Sequence, residues 1–133
     1  MADCNSPLPE IAQQGVQHFN RGEYYAAHEA FESAWRAEPG EVRQLYQGLL
    51  QVGVACHHYR RGNLLGAIKV MARGLVNLGF LPSICQGIDL VDFRLQAEEF
   101  NTHVLDYGTE QTPSAPKYPI IHMKDEGANH EST

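Results

Sequence analysis

The sequence predicts an all-α fold, a compact helical bundle of about five helices with an extended C-terminal strap. Three observations carry this. Apolar residues recur at spacings of three and four more often than two; Gly, Pro and Asn punctuate the chain where helices would end; and one pattern of small and aromatic residues returns forty positions after its first appearance.

The first helix is expected from about Pro9 to Asn20. Pro9 suits a first-turn position, where its missing N–H has no intrahelical partner to lose, and Ile11, Gly15, Val16 and Phe19 share a face. Asn20-Arg21-Gly22 stops the helix, because Gly takes the left-handed backbone without a Cβ clash. The second helix, Glu23 to about Ala37, sets Tyr24, Ala27, Phe31, Ala34 and Trp35 on a broad inward stripe, and Glu38-Pro39-Gly40 ends it. The third runs from near Glu41 to Arg61, apolar at Leu45, Leu49, Val52 and Cys56, and Gly62-Asn63 turns the chain. The fourth, Leu64 to about Leu78, carries Leu64, Ala67, Ile68, Met71, Leu75 and Leu78, with Pro82 closing the segment after it. The fifth, about Asp89 to Tyr107, has Leu90, Phe93, Ala97, Phe100, Val104 and Tyr107 at helical spacing.

From Gly108 the texture changes, since Pro113, Pro116 and Pro119 forbid another regular helix. Tyr118-Pro119-Ile120-Ile121-His122-Met123 is too apolar for a solvated linker and predicts a strap lying in a groove on the helices. The expected organisation is one helical domain over 1–107, the strap over 108–124 and a disordered tail over 125–133.

Gly22, Tyr24, Ala27, Phe31, Ala34 and Pro39 stand at the relative positions of the second half of a tetratricopeptide unit, and Gly62, Leu64, Ala67, Met71 and Gly74 repeat the first five. Two tetratricopeptide-like antiparallel hairpins therefore make the core. A solenoid needs about three repeats, so with two the fifth helix and the strap must cap the stack. Gly-x-aromatic-x-x-Ala also marks any tight helical hairpin, and the pattern alone leaves both origins open.

A length of 133 residues suits one domain, and 43% hydrophobic against 20% charged residues supplies a core and excludes wholesale disorder. A formal net charge of −6 argues against nonspecific nucleic-acid binding, which needs excess Lys and Arg to displace counterions. The start of the chain lacks a basic n-region followed by an apolar run, and no stretch approaches the roughly twenty apolar residues of a spanning helix. Cys4, Cys56 and Cys85 are odd in number, far apart and without a CxxC pair, so no disulfide framework is expected and a reducing, cytoplasmic location is the default.

The unusual segment is His28-Glu29-Ala30-Phe31-Glu32-Ser33-Ala34-Trp35-Arg36, where polar groups lie on and beside a packing face. His28 to Glu32 and Glu32 to Arg36 are four apart, and Glu29 to Glu32 three apart, so all converge along one side. Gln47, Gln51 and His58 make a second row on the third helix. Buried amides and imidazoles are costly without partners, so the two rows are expected to face one another.

Phe19-Asn20-x-Gly22-x-Tyr24-x-x-Ala27-His28-Glu29-x-x-Glu32-x-x-Trp35, Gln47-Gly48-Leu49-x-Gln51 and His58-x-x-x-Gly62-Asn63-x-x-Gly66-Ala67 together resemble the small helical domain-of-unknown-function family numbered three hundred and nine. The resemblance covers roughly residues 11–78 and implies a helical bundle whose best-marked residues are these polar rows. It carries no activity with it, and the chain beyond Gly79 departs from it.

Two readings of the cluster compete. In one, His28, Glu32 and His58 bind a divalent metal and Glu29 is the candidate general base of a hydrolase, since imidazole and carboxylate suit Zn, Mn or Fe and a bound water is acidified. Against it, the helix reads His-Glu-x-x-Glu and not His-Glu-x-x-His, and the paired Glu-x-x-His of di-iron bundles is absent. In the other, the rows form a network that fixes helix register, with Glu32 pairing Arg36 or accepting from His58.

Weaker signals carry less. Arg60, Arg61, Lys69 and Arg73 form a modest basic patch that a solvated helix end also explains, and Glu98, Glu99 and His103 read as an exposed face. Trp35 and Tyr46 are expected in the core, Cys56 as an inert buried thiol, and His57 turned away from the face of His58. No phosphate loop, nucleophile elbow or nucleotide fingerprint occurs. The expected role is binding of a protein segment or small polar ligand near His28, Glu29, Glu32, Arg36, Gln47, Gln51 and His58. The rival classes are the metal-dependent hydrolase and a structural homo-oligomer built on the fourth or fifth helix.

Overall fold

The computed structural model describes residues 2–107 and 115–124. In chain order the elements are α1 (Glu10–Asn20), α2 (Tyr24–Ala37), α3 (Arg43–Arg60), α4 (Leu64–Gly79), β1 (Ile84–Cys85), β2 (Ile88–Asp89) and α5 (Leu90–Tyr107). The helical bundle expected from the sequence is the observed architecture. The first part of the expected strap and the disorder expected for 125–133 lie outside the described residues.

The forty-residue repeat is physical. At the end of α1 the Gly22 amide donates to Phe19 O and the Glu23 amide to His18 O; at the end of α3 the Gly62 amide donates to Tyr59 O and the Asn63 amide to His58 O. Gly22 and Gly62 hold φ of +77° and +80°, a backbone that a Cβ disfavours, which is why Gly stands at both turns. The turns fold α1 onto α2 and α3 onto α4, and small residues set the closeness of each pair. A Cβ on Gly15 would meet the Phe31 ring at 2.6 Å, and one on Gly48 would meet Leu78 at 2.6 Å.

The core is continuous through the bundle, with Phe19, Phe31, Leu45, Tyr46, Leu49, Met71, Leu78 and Phe93 buried. Most of the expected inward stripes are seen, with two departures. Ile11 lies at the surface and Ala12 takes the inward place, because at the edge of a helical stripe neighbouring positions differ by only 100°. Trp35 is half-buried at the rim, with the Arg43 guanidinium 4.1 Å from its ring centroid. The start of α3 also moves: Glu41 and Val42 form a turn bonded three residues apart, so regular helix begins at Arg43.

Between α4 and α5 the chain makes an antiparallel hairpin, Ile84 opposite Asp89 and Cys85 opposite Ile88, which the periodicity did not predict. Its two turn residues, Gln86 and Gly87, both have positive φ, the conformation of a two-residue turn matched to strand twist. Residues 115–124 run extended, as expected of the strap, and bridge to this hairpin. Asp89 donates its amide to His122 O, and Lys124 donates its amide to Gly87 O. Asn20 of α1 grips Ile121 through both backbone groups at 2.9 and 2.8 Å, and Gln96 of α5 grips Ile120 likewise at 2.9 and 3.0 Å. Tyr118 packs its ring on Phe100 at 5.4 Å. Arg94 of α5 reaches Leu78 O and satisfies a carbonyl at the C-terminal end of α4.

One expectation is overturned. Cys4 and Cys85, 81 residues apart, form a disulfide. Separation along the chain does not measure distance in space: the segment before α1 folds back over the lower end of the bundle and lies against the hairpin, where Gln86 donates its amide to Cys4 O. Cys56 is the remaining cysteine, buried and unpaired as expected. No helix among the described residues is long and apolar enough to cross a membrane.

Candidate functional site

The α2 row assembles as its spacing requires. Arg36 Nη2 donates to Glu32 Oε1 at 2.7 Å, and His28 Nε2 lies 3.7 Å from Glu32 Oε2. Beside it the Glu29 carboxylate, as an acceptor near the Tyr25 hydroxyl and by its charge, raises the phenol above its ordinary range. These are surface ladders of i,i+4 partners, and pairs of this exposure contribute little to stability.

The α3 row goes elsewhere. Gln51 Oε1 accepts from Asn77 Nδ2 of α4 at 2.7 Å, so it serves the α3–α4 pair. His58 Nδ1 lies 3.3 Å from Asn63 Nδ2, the counterpart forty residues on of His18 Nδ1 and Glu23 Oε1 at 2.8 Å. His58 is therefore a turn residue of the repeat. Among the described residues no hydrogen bond joins the two rows, so the expected face-to-face arrangement of α2 and α3 polar groups is not formed. Nor does any group of three His, Cys, Asp or Glu side chains there gather as ligands of a metal ion; His28 and Glu32 are neighbours, and His58 is engaged at its turn.

Two residues of the second row open on hollows: Gln51 on one of about 390 Å³ with Ala72, Arg73, Val76 and Asn77, and Gln47 on another. With Trp35, Arg43 and Gln44, Gln47 lines a hollow of about 350 Å³, which adjoins a larger one of about 800 Å³ through the shared residues Pro39, Gly40, Glu41 and Gln44. These two adjoining hollows, at the end of the bundle where the α2–α3 turn and the corner after α4 meet, are together the trough. Three chain segments build the larger part: the turn between α2 and α3, the Phe80-Leu81-Pro82 corner after α4, and Ala2-Asp3-Cys4 pinned by the disulfide.

The local causes are plain. Pro39 and Gly40 cannot continue α2, and Glu38 Oε2 accepts the Gly40 amide at 2.7 Å, fixing the turn as one wall. Phe80 caps α4 and leaves its ring 73% exposed on the second wall. The lining is apolar at Val42, Phe80, Leu81 and Pro82, carries the carboxylates of Asp3 and Glu41, and contains no Lys or Arg in its larger part. Arg43 stands at the other end over Trp35, its Nε buried without a hydrogen-bond partner among the described residues.

Apart from the disulfide-bonded Cys4, the groups able to do covalent chemistry sit away from this trough. Burial pushes the Cys56 thiol up to about 12, against the lowering effects of its hydrogen bond with Tyr24 and of Arg60, which keeps it the protonated thiol. Burial likewise raises Tyr46, whose hydroxyl donates to Gln86 Oε1. What the arrangement offers is recognition of apolar surface with positive charge beside it.

Gln47 was expected at a polar site and Trp35 in the core, and the trough's other walls were not foreseen. The signal for one was present: an apolar Phe80-Leu81-Pro82 triplet sits in a turn, where side chains are not committed to a helical face. Ala2-Asp3-Cys4 gave no signal of its own.

Comparison with known proteins places the chain among uncharacterised ones. The model of the family described as domain of unknown function DUF309 matches residues 12–70. An uncharacterised protein of Aquifex aeolicus is 29% identical over 114 residues, covering 84% of this chain and 32% of that protein. The uncharacterised protein YpuF of Bacillus subtilis is 33% identical over 105 residues, covering 78% of this chain and 58% of YpuF. The chain thus spans about a third of the first relative's length and somewhat over half of the second's.

Proposed function

We propose, from the premise that residues 12–70 of this chain resemble the DUF309 family, that it is a helical binding module whose trough takes a segment of another protein. The observation that supports this best is the trough itself: two adjoining hollows of about 800 and 350 Å³, apolar along the walls and carboxylate-bearing at Asp3 and Glu41. Two adjoining hollows open to solvent suit a chain segment that reaches from one to the other better than a compact small molecule. The charge selects a segment with apolar side chains and at least one Lys or Arg, since a carboxylate in the partner would meet Asp3 and Glu41.

In this reading the expected ligand-binding residues divide. Gln47 contacts the segment, joined by Trp35, which was expected in the core; His28, Glu29, Glu32 and Arg36 stand on the surface of α2 and do not line the trough; Gln51 bonds to α4 and His58 to the α3–α4 turn. Phe80 is the central apolar anchor, because an aromatic ring so exposed gains most when covered. The cytoplasmic location expected from the sequence rested on the absence of a disulfide, and Cys4–Cys85 removes that ground. No observation favours the metal-dependent hydrolase, because its three ligands are not gathered.

Trp35 is the single tryptophan of the chain and lies in the trough, so its fluorescence reports occupancy. Synthetic peptides of alternating Leu and Lys are expected to produce a saturable change, and peptides of alternating Leu and Glu none. Phe80→Ser is expected to weaken the Leu/Lys peptide by roughly tenfold or more, the loss of about 1.4 kcal/mol or more. A fluorescence that stays flat with both peptides would overturn the reading.

A further inference from the structure

Ala2-Asp3-Cys4, one wall of the trough, is held by few attachments. Leu8 is buried in the core, and its carbonyl accepts from Gln13 Nε2 at 2.8 Å, so the chain is anchored there independently. Ahead of that anchor the segment is tied to the rest of the fold by the disulfide from Cys4 to Cys85, by Gln86, which donates its amide to Cys4 O at 2.7 Å and its Nε2 to Asp3 O at 3.1 Å, and by the packing of half-buried Ala2 and Cys4 on the core. Asn5 and Ser6 bond only within the segment, to Asp3. The disulfide is the one covalent cross-link of this wall, and the rest are two hydrogen bonds and limited packing.

The two sulfurs are not equally placed. Cys85 is fully buried within the hairpin, whereas Cys4 is half-buried and lines the trough. We infer that the Cys4–Cys85 disulfide is a site of thiol–disulfide exchange with dithiol reductants, and that its reduction releases Ala2-Asp3-Cys4 and weakens binding in the trough. The inference rests on the binding reading above.

In the exchange, a thiolate of the reductant attacks Cys4 Sγ and the bond to Cys85 breaks, its electron pair leaving on Cys85 Sγ. The second thiol of the reductant then attacks the mixed disulfide and displaces Cys4 as thiolate. Two electrons and two protons end on Cys4 and Cys85, and the dithiol becomes a cyclic disulfide. Cys56 takes no part, being buried away from both. The fold survives the step because Leu8 and the helices keep their own contacts. What is lost is a wall and Asp3, one of the two carboxylates of the larger hollow.

The test compares the air-oxidised protein, the same protein reduced with dithiothreitol, and the Cys4→Ser variant, which cannot close the bond and keeps Cys85 as a buried thiol. Iodoacetamide labelling read by mass counts released thiols, amide exchange at Asn5 and Ser6 reads the segment, and Trp35 fluorescence reads the Leu/Lys peptide. Reduction is expected to expose Cys4 to labelling at unchanged helical circular dichroism, to speed exchange at Asn5 and Ser6, and to weaken the peptide roughly tenfold, with Cys4→Ser matching the reduced protein. Equal peptide affinity in the oxidised and reduced states overturns this inference and leaves the binding reading standing. Absence of peptide binding in both states overturns the binding reading and this inference with it, and Cys4 unlabelled after reduction overturns the exchange site alone.

Discussion

The Tyr46 hydroxyl donates to Gln86 Oε1 at 2.7 Å across forty residues of sequence, and both side chains are buried. Through Gln86, α3 reaches the hairpin turn and, by Gln86 Nε2, the carbonyl of Asp3. Tyr46→Phe removes the donor and leaves a buried amide oxygen without it, a change that costs about 1–3 kcal/mol. Urea denaturation of the variant is expected to show that loss at unchanged m-value. Gln86→Ala, which leaves the buried Tyr46 hydroxyl without its acceptor and frees Asp3 O, is expected to speed amide exchange at Asn5 and Ser6; Tyr46→Phe with unaltered stability would show the bond to be idle.

Gly15 lies under Phe31. A methyl there would sit 2.6 to 2.9 Å from three atoms of a ring that is fully buried and has no room to swing, so Gly15→Ala forces α1 and α2 apart. The expected cost is about 1–3 kcal/mol. Gly79→Ala is the contrast, since nothing lies within 4 Å of its added Cβ and the backbone there is helical; it is expected to be neutral or to stabilise by up to about 1 kcal/mol through the unfolded chain. Thermal unfolding of the two variants side by side decides it, and equal effects would contradict the packing argument.

How much of this was legible in the sequence depended on range. Helix ends were legible because they are local: Gly22, Pro39 and Gly62 each stop a helix by their own backbone chemistry, and four of the five helices start within one residue of expectation. The α2 row was legible for the same reason, since His28, Glu32 and Arg36 meet by helical geometry alone. The orientation of Gln51 towards Asn77 was not, because a half-polar helix such as α3, packed against both α2 and α4, offers two faces and spacing does not choose between them. The hairpin escaped because strands of two residues carry no alternation to read. The disulfide and the trough join residues 2–4, 39–42 and 80–85, a meeting that exists only after folding.

The forty-residue repeat makes the two helical turns comparable. Gly22 and Gly62 share a left-handed backbone, so Gly22→Ala and Gly62→Ala are each expected to cost about 1–2 kcal/mol. Gly62 has nothing within 4 Å of an added Cβ, so its cost isolates the backbone, whereas Gly22 would also meet Arg60 Nη1 at 3.3 Å and displace a flexible side chain. Equilibrium denaturation of both variants is expected to give values within about 0.5 kcal/mol of each other, and the double variant their sum. A large inequality would mean that the turns, alike in hydrogen bonding, are held by different forces.

The strap has a pH-dependent fastening. An ionised carboxylate only accepts, so His122 donates through Nδ1 to Asp92 Oδ2 at 2.9 Å, and Gln96 Nε2 donates to the same oxygen at 2.7 Å. The hydrogen bond from His122, then that from Gln96 and the charges of His122 and Lys117, hold Asp92 below the ordinary carboxylate value of 3.8 against the opposing effect of burial. A carboxyl lowered by folding stabilises the folded state above its unfolded value, and that stabilisation fades as pH falls through the folded value. The contribution of Asp92 is therefore complete above about pH 5 and lost progressively below 3.8. Amide exchange at Ile121, whose N–H donates to Asn20 Oδ1, reads the strap directly. Corrected for the intrinsic pH dependence of exchange, its protection is expected to decline on acidification below that point. In Asp92→Asn it is expected to start lower at neutral pH and to lose this part of the decline, whereas superimposable profiles for the two proteins would show that His122 and Asp92 do not fasten the strap.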